Sequence, residues 1–164
     1  MRTIKTFKNK TILITGGSSG IGKAAALKLA RKGATVILVA RREELLKEVV
    51  GEIHLAGGTA HWYAGDLSKI EEIDKLTETI LADHPSIDVL VNNAGRSIRR
   101  KIEESLERYH DFERCMDINY FAPVRLIRNL LPALKQSKSG HIINSTTWAV
   151  SYTHLTLPTI GCVG

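Results

Sequence analysis

Along this chain, runs of consecutive apolar residues alternate with segments whose apolar positions recur every three or four residues. Residues 10–15 (KTILIT) and 34–40 (ATVILVA) are continuous and rich in branched side chains, the pattern of strands buried on both faces. Between them, residues 20–31 place Ile21, Ala25 and Leu29 four apart on one helical face, and Gly33 stands just past the end as a stop. Together these segments predict a first βαβ unit. Residues 43–56 repeat the helical pattern with Leu45, Leu46, Val49, Val50 and Ile53, and Gly57 and Gly58 end it before a strand at 60–64. Ile70, Ile73, Leu76 and Ile80 line a further helix, Pro85 interrupts, and residues 87–91 predict a fourth strand. A long helix over 107–134 leads through Gly140 to a fifth strand at 141–145. Such alternation predicts an α/β fold, a doubly wound parallel sheet of about five strands with helices on both faces.

Composition narrows the class. With 164 residues, 43% of them hydrophobic and 24% charged, the chain suits one globular domain. No apolar run approaches the ~18 residues of a membrane span, and the start (MRTIK) has no signal-peptide core, so a cytoplasmic location is expected. Cys115 and Cys162 form no CxxC pair and the six histidines show no ligand spacing, so reduced thiols and no metal are expected. A formal charge of +6 raises the question of nucleic acid, but the basic residues are dispersed and alternate with acids, and no such partner is expected. The one dense basic run, Arg96, Arg99, Arg100 and Lys101, reads either as a solvated loop or as a patch for an anionic substrate or cofactor phosphates.

Candidate chemistry begins at Thr15-Gly16-Gly17-Ser18-Ser19-Gly20-Ile21-Gly22, which follows a predicted strand and opens a predicted helix. Glycines in that context let the backbone turn tightly and approach a pyrophosphate, while the free amides and dipole of the helix favour negative charge. At the end of the second strand stand Ala40, Arg41 and Arg42, with no acid. An acid there would accept from a ribose 2′-hydroxyl, whereas arginine can clamp a 2′-phosphate in bidentate fashion, so NADP(H) is favoured over NAD(H). The bland alternative, that these arginines merely begin a solvated helix, describes Arg42 better than Arg41.

TGGSSGIG has the TGxxxGxG form of the short-chain dehydrogenase/reductase family, and Asn92-Asn93-Ala94-Gly95 resembles its NNAG motif; the likeness covers roughly residues 7–149. The resemblance implies a Rossmann fold, a small-molecule substrate and a nucleotide site made by Gly16, Ser18, Ser19, Gly20, Ile21 and Gly22, with Asn93, Ala94 and Gly95 supporting the adenosine half. Asp66-Leu67 resembles the family's adenine-holding acid. The family's catalytic tetrad is Asn, Ser, Tyr and Lys, and only half of it can be traced. Asn119 resembles the helix Asn that shapes the site, or else caps a helix break. Thr147 stands where the family has its serine, with a hydroxyl able to polarise a carbonyl but a methyl that restricts χ1.

A YxxxK segment should follow, and it does not: Tyr152 precedes Thr156 by four positions, and no lysine occurs after Lys138. Residues 150–159 (VSYTHLTLPT) resemble instead the translated read-through of a transposase adapter used in DNA-library preparation, the alternative being a divergent native end. Residues 1–149 are therefore expected to form a truncated NAD(P)-binding domain, with 150–164 a non-native, disordered tail. The stretch Asn92 to Arg100, with His110 to Arg114 and Asn119-Tyr120-Phe121, is similar to bacterial fatty acyl-CoA reductases. That implies NADPH-dependent reduction of a long-chain acyl-CoA to the aldehyde by the complete protein and no useful turnover by this chain. A reductase of ketones, 3-oxoacyl or hydroxysteroid, remains an alternative, as does a non-catalytic nucleotide-binding module. The family is usually homo-oligomeric, but its dimer helices are only partly present.

Overall fold

The computed structural model describes residues 6–98, 101, 103–137 and 140–145. Thr147, Arg99, Arg100 and the 150–164 tail lie outside the described residues. Five strands, β1 (Thr11–Thr15), β2 (Thr35–Ala40), β3 (Thr59–Ala64), β4 (Val89–Asn92) and β5 (His141–Asn144), form one sheet in the order β3-β2-β1-β4-β5. Every pairing is parallel: Leu13 sits beside Ile37 and Leu90, Leu38 beside Trp62, and Val91 beside Ile143. Helices α1 (Gly20–Arg31), α2 (Glu43–Leu55) and α3 (Ile70–Asp83) make the first three crossovers.

The unbroken apolar runs are explained by cover on both faces. Within β1, Ile12 and Ile14 pack with Ala26, Ala30, Leu46, Val49 and Ile53 beneath α1 and α2. Leu13 points the other way, into a second cluster with Ile73, Leu76, Ile80, Leu126 and Leu130. The core thus has two layers divided by the sheet, each lined by the odd or even residues of the same strands.

Three expectations need correction. The sheet-facing residues of α1 are Gly22, Ala26 and Ala30, one position beyond the expected Ile21, Ala25 and Leu29, and Ile21 is 74% exposed. Small side chains let α1 sit close to the sheet, so its packing face is not its most hydrophobic one. The fourth strand begins at Val89; Ile87 is fully buried but precedes it. The long helix expected over 107–134 is broken into a 3₁₀ turn (Glu103–Ser105), α4 (Tyr109–Met116), a π-helical turn (Asp117–Phe121) and α5 (Ala122–Gln136). Within the π turn, the Ala122 amide reaches back five residues to the Asp117 carbonyl. Pro123 has no N–H to give the Asn119 carbonyl four residues earlier, which favours this wider bonding.

An acid-base network docks α5 on α3. Arg125 donates to both oxygens of Asp74, at 2.7 Å from Nε and 2.5 Å from Nη2, and Asn129 Nδ2 adds a third bond of 2.8 Å. At the other side of the sheet, β5 pairs only with β4 among the described strands and leaves Ile142 and Ile143 40% and 49% exposed. No described helix is long and apolar enough to cross a membrane.

Candidate functional site

The strand order reverses between β1 and β4, the switch point at which open α/β sheets form a crevice beyond the carboxyl ends of their strands. A cavity of about 1180 Å³ opens there. It is larger than the ~300–1,000 Å³ typical of a site for one drug-sized molecule, and so has room for a dinucleotide.

Thr15 and Asn93 tie the two strands together at this point. The Thr15 hydroxyl accepts from the Asn93 and Ala94 amides at 2.9 and 3.0 Å, and Asn93 Nδ2 donates to the Thr15 carbonyl at 3.0 Å. Behind the turn, Gly22 packs so closely that an added Cβ would overlap the Gly16 carbonyl and come within 2.8 Å of Asn93 Nδ2. Gly22 therefore supports the turn from beneath, while Gly16, Ser18, Ser19, Gly20 and Ile21 line the crevice itself. The exposure of Ile21 is accounted for by this position.

The start of α1 suits an anion. Its N-cap Ser19 makes no side-chain cap bond and its first turn carries no acid, so no side chain competes for the free amides. At the end of β2, Arg41 and Arg42 line the crevice and, among the described residues, make no bond to the acids that follow them. Those acids, Glu43 and Glu44, are held by Lys47 at 2.9 and 3.2 Å.

Beyond β3, Asp66 and Leu67 form the next part of the wall. Asp66 Oδ1 accepts from the Ser68 amide at 3.0 Å and hydroxyl at 2.8 Å. Burial opposes its ionisation, but these two bonds and the charges of Arg41 and Lys69 outweigh it and hold the carboxyl below its usual pKa. Asp66 therefore presents a carboxylate, with Oδ2 directed to no partner among the described residues.

Asn93, Ala94 and Gly95 close the crevice beside β4. Asn119 does not line it. From the π turn its Oδ1 accepts from the Arg96 amide at 2.9 Å and its Nδ2 donates to the Arg96 carbonyl at 2.7 Å, so it grips the backbone of the loop after β4. In this structure Asn119 thus holds the loop after β4 against the π turn. The crevice also includes residues that the sequence reading did not assign to it: Ser68, Lys69, Arg114 and Ile118. The last two are four apart, across the junction of α4 and the π turn, a spacing that puts both on one helical face. Among the described residues, no group of three His, Cys, Asp or Glu is placed to hold a metal ion.

Comparison with known proteins agrees with this arrangement. Residues 10–156 match the short chain dehydrogenase family. The chain is 52% identical over 141 residues to a fatty acyl-CoA reductase of Mycobacterium tuberculosis, covering 86% of this chain and 48% of that protein. It is 50% identical over 143 residues to a fatty acyl-CoA reductase of Acinetobacter baylyi, covering 87% and 48%. The chain thus spans about half the length of these curated relatives. A metagenomic short-chain oxidoreductase solved in complex with NADP superposes with a TM-score of 0.78 at 39% identity, over 84% of this chain and 62% of that one. With its parallel sheet, its glycine turn and this crevice, the chain belongs to the short-chain dehydrogenase family.

Proposed function

We propose that this chain is the NADP(H)-binding half of a reductase that converts long-chain fatty acyl-CoA to the aldehyde. The observation that carries the cofactor choice is the pair Arg41 and Arg42 at the end of β2, which among the described residues make no close ion pair and line a crevice with no acid at that position. On this reading the amides at the start of α1, with Ser18, Ser19 and Gly20, bind the pyrophosphate. Arg41 clamps the 2′-phosphate and Arg42 flanks it. Asp66 accepts a hydrogen bond from the adenine amine and Leu67 packs on the ring. Asn93 braces the turn, Gly16, Ala94 and Gly95 allow close approach, and Ile21 lies along the bound molecule. Bound NADPH supplies the hydride.

The chain's own residues then hold the geometry. Asn119 fixes the loop at Arg96, and the hydroxyl of Thr147, outside the described residues, is the group proposed to polarise the thioester carbonyl. Neither is a good proton donor near neutral pH. None of the four tyrosines has a lysine four residues on, so this chain alone is proposed to turn over negligibly. Residues 1–149 are proposed as the nucleotide-binding unit and 150–164 as a segment outside it. A cytoplasmic setting is part of the proposal, in keeping with Cys115 as a free thiol.

What supports the acyl-CoA substrate is the pair of relatives at about 50% identity that bear that name. The test is NADPH oxidation with palmitoyl-CoA by this chain and by the chain extended with its genomic continuation. Turnover only after extension, with release of free coenzyme A, is expected. Clear turnover by this chain alone, or reduction of ketones but not of palmitoyl-CoA by the extended protein, would refute it.

A further inference from the structure

Five cationic side chains and one carboxylate line the crevice, and they are not grouped together. Arg41 and Arg42 follow the end of β2, and Lys69 stands at the N-cap of α3. Arg96 and Arg114 come from the loop after β4 and from α4. A dinucleotide with a 2′-phosphate has two anionic parts, and the proposed function already assigns them to the start of α1 and to Arg41. The second pair of arginines is surplus to that ligand.

Neither member of the surplus pair is closely paired with a carboxylate among the described residues. Arg96 has its backbone gripped on both sides by Asn119, so its side chain projects from a fixed point. Among the described residues no carboxylate pairs with it. Arg114 meets Asp111 Oδ1 only at 4.0 Å, while Asp111 Oδ2 is taken by Arg108 Nε at 3.0 Å. Ile118 stands one helical turn from Arg114 and gives the same wall an apolar neighbour.

We infer that Arg96 and Arg114 form a second anion subsite, which binds phosphates of the substrate's coenzyme A while the dinucleotide occupies the rest of the crevice. The inference rests on the acyl-CoA reading above and deepens it. A thioester of coenzyme A carries its phosphates far from the reacting carbonyl. Two guanidiniums carried by other elements than Arg41 would hold that end while leaving the carbonyl free to approach the nicotinamide. Guanidinium is suited to the task because its planar donors match phosphate oxygens in pairs.

The magnitude is bounded by exposure. Hydrogen bonds to charged groups are strongest when sheltered from water. Arg114 has a side chain 57% exposed, so solvent screening keeps the effect modest. Removal of both guanidiniums should therefore weaken coenzyme A binding about tenfold.

The experiment titrates the chain first with NADPH, then, saturated with NADPH, with coenzyme A and with pantetheine, which has the same arm but no nucleotide phosphates. It is repeated for Arg96→Ala, Arg114→Ala, the double variant and Arg114→Lys. Arg96→Ala leaves the Asn119 grip intact, because only backbone atoms are held. Expected are saturable coenzyme A binding that weakens with salt, about a tenfold rise in its Kd in the double variant, and partial retention in Arg114→Lys. NADPH affinity should stay within about twofold, and pantetheine should show no difference between variants. Unchanged coenzyme A affinity in the double variant, or no saturable binding to the parent chain, overturns the inference. So does an equal loss of NADPH affinity, which would give both arginines to the dinucleotide. Failure of the parent chain to bind NADPH in the first titration would instead strike the proposed function itself.

Discussion

Gly22→Ala isolates the steric logic of the nucleotide turn, because it changes one methyl group at a position where helix propensity and packing disagree. Propensity favours alanine by at most about 1 kcal/mol, less in a first turn. Packing opposes it: the new Cβ would overlap the Gly16 carbonyl and lie 2.8 Å from Asn93 Nδ2. Neither neighbour can yield freely. The Gly16 amide is bonded to the Val39 carbonyl at 2.8 Å, and Asn93 Nδ2 holds the Thr15 carbonyl at 3.0 Å. Overpacking of this kind costs about 1–3 kcal/mol, and a weakened Asn93 bond adds about 1 kcal/mol. Packing wins, with a net loss of about 1–3 kcal/mol after the propensity gain. At about 2–4 °C per kcal/mol for a chain of this size, the melting temperature should fall by about 3–10 °C. NADPH affinity should fall with it, since the Gly16 turn lines the crevice. Gly20→Ala is the control: its Cβ would meet nothing within 4 Å, and the only penalty is φ of +55°, about 1 kcal/mol. Thermal melting with and without NADPH reads both variants. A Gly22→Ala chain that melts at or above the parent temperature would refute the reasoning.

Two further predictions concern the α4–α5 side of the sheet. Asn119→Ala should leave the fold intact but free the Arg96 backbone, seen as faster amide hydrogen exchange at Arg96 with global stability lowered by about 1–2 kcal/mol at most; unchanged exchange there would contradict the grip. Arg125 and Asn129 hold Asp74 at a pKa of about 2, below its ordinary value. The folded-state pKa is therefore depressed, and its stabilisation is fully present above about pH 5 and lost as pH falls through the folded value. Asp74→Asn should flatten the acid limb of a stability-against-pH curve, and an unchanged limb would show that the network contributes nothing.

Much of this molecule is legible from the order of its residues because both faces of a parallel sheet must be covered. Residues 10–15 and 34–40 have no polar alternation to obscure, and the glycine turn between strand and helix falls where the crevice opens at the switch point of the sheet. The α1 face was misjudged by one residue because hydrophobicity marks large side chains, whereas close packing selects Gly22, Ala26 and Ala30. The break in the long helix has a cue in Pro123, but its consequence appears only when Asn119 is seen gripping a loop more than twenty residues earlier. Arg114 stood in the stretch His110 to Arg114 that resembles fatty acyl-CoA reductases, but that likeness gave it no place in the crevice. It lines the crevice because the fold brings α4 to the same cavity as the ends of β2 and β4, a tertiary placement that no local pattern encodes.

The central claim is that the crevice binds NADPH through Arg41, and one titration tests it most directly. Affinities of the chain for NADPH and NADH are measured side by side, then repeated for Arg41→Ala. A charge-assisted bond to the 2′-phosphate contributes about 1.5–3 kcal/mol, so NADPH should bind at least about tenfold more tightly. In the variant that preference should largely disappear, with NADH affinity unchanged. Equal affinities for the two dinucleotides, or a preference that survives Arg41→Ala, would contradict the account.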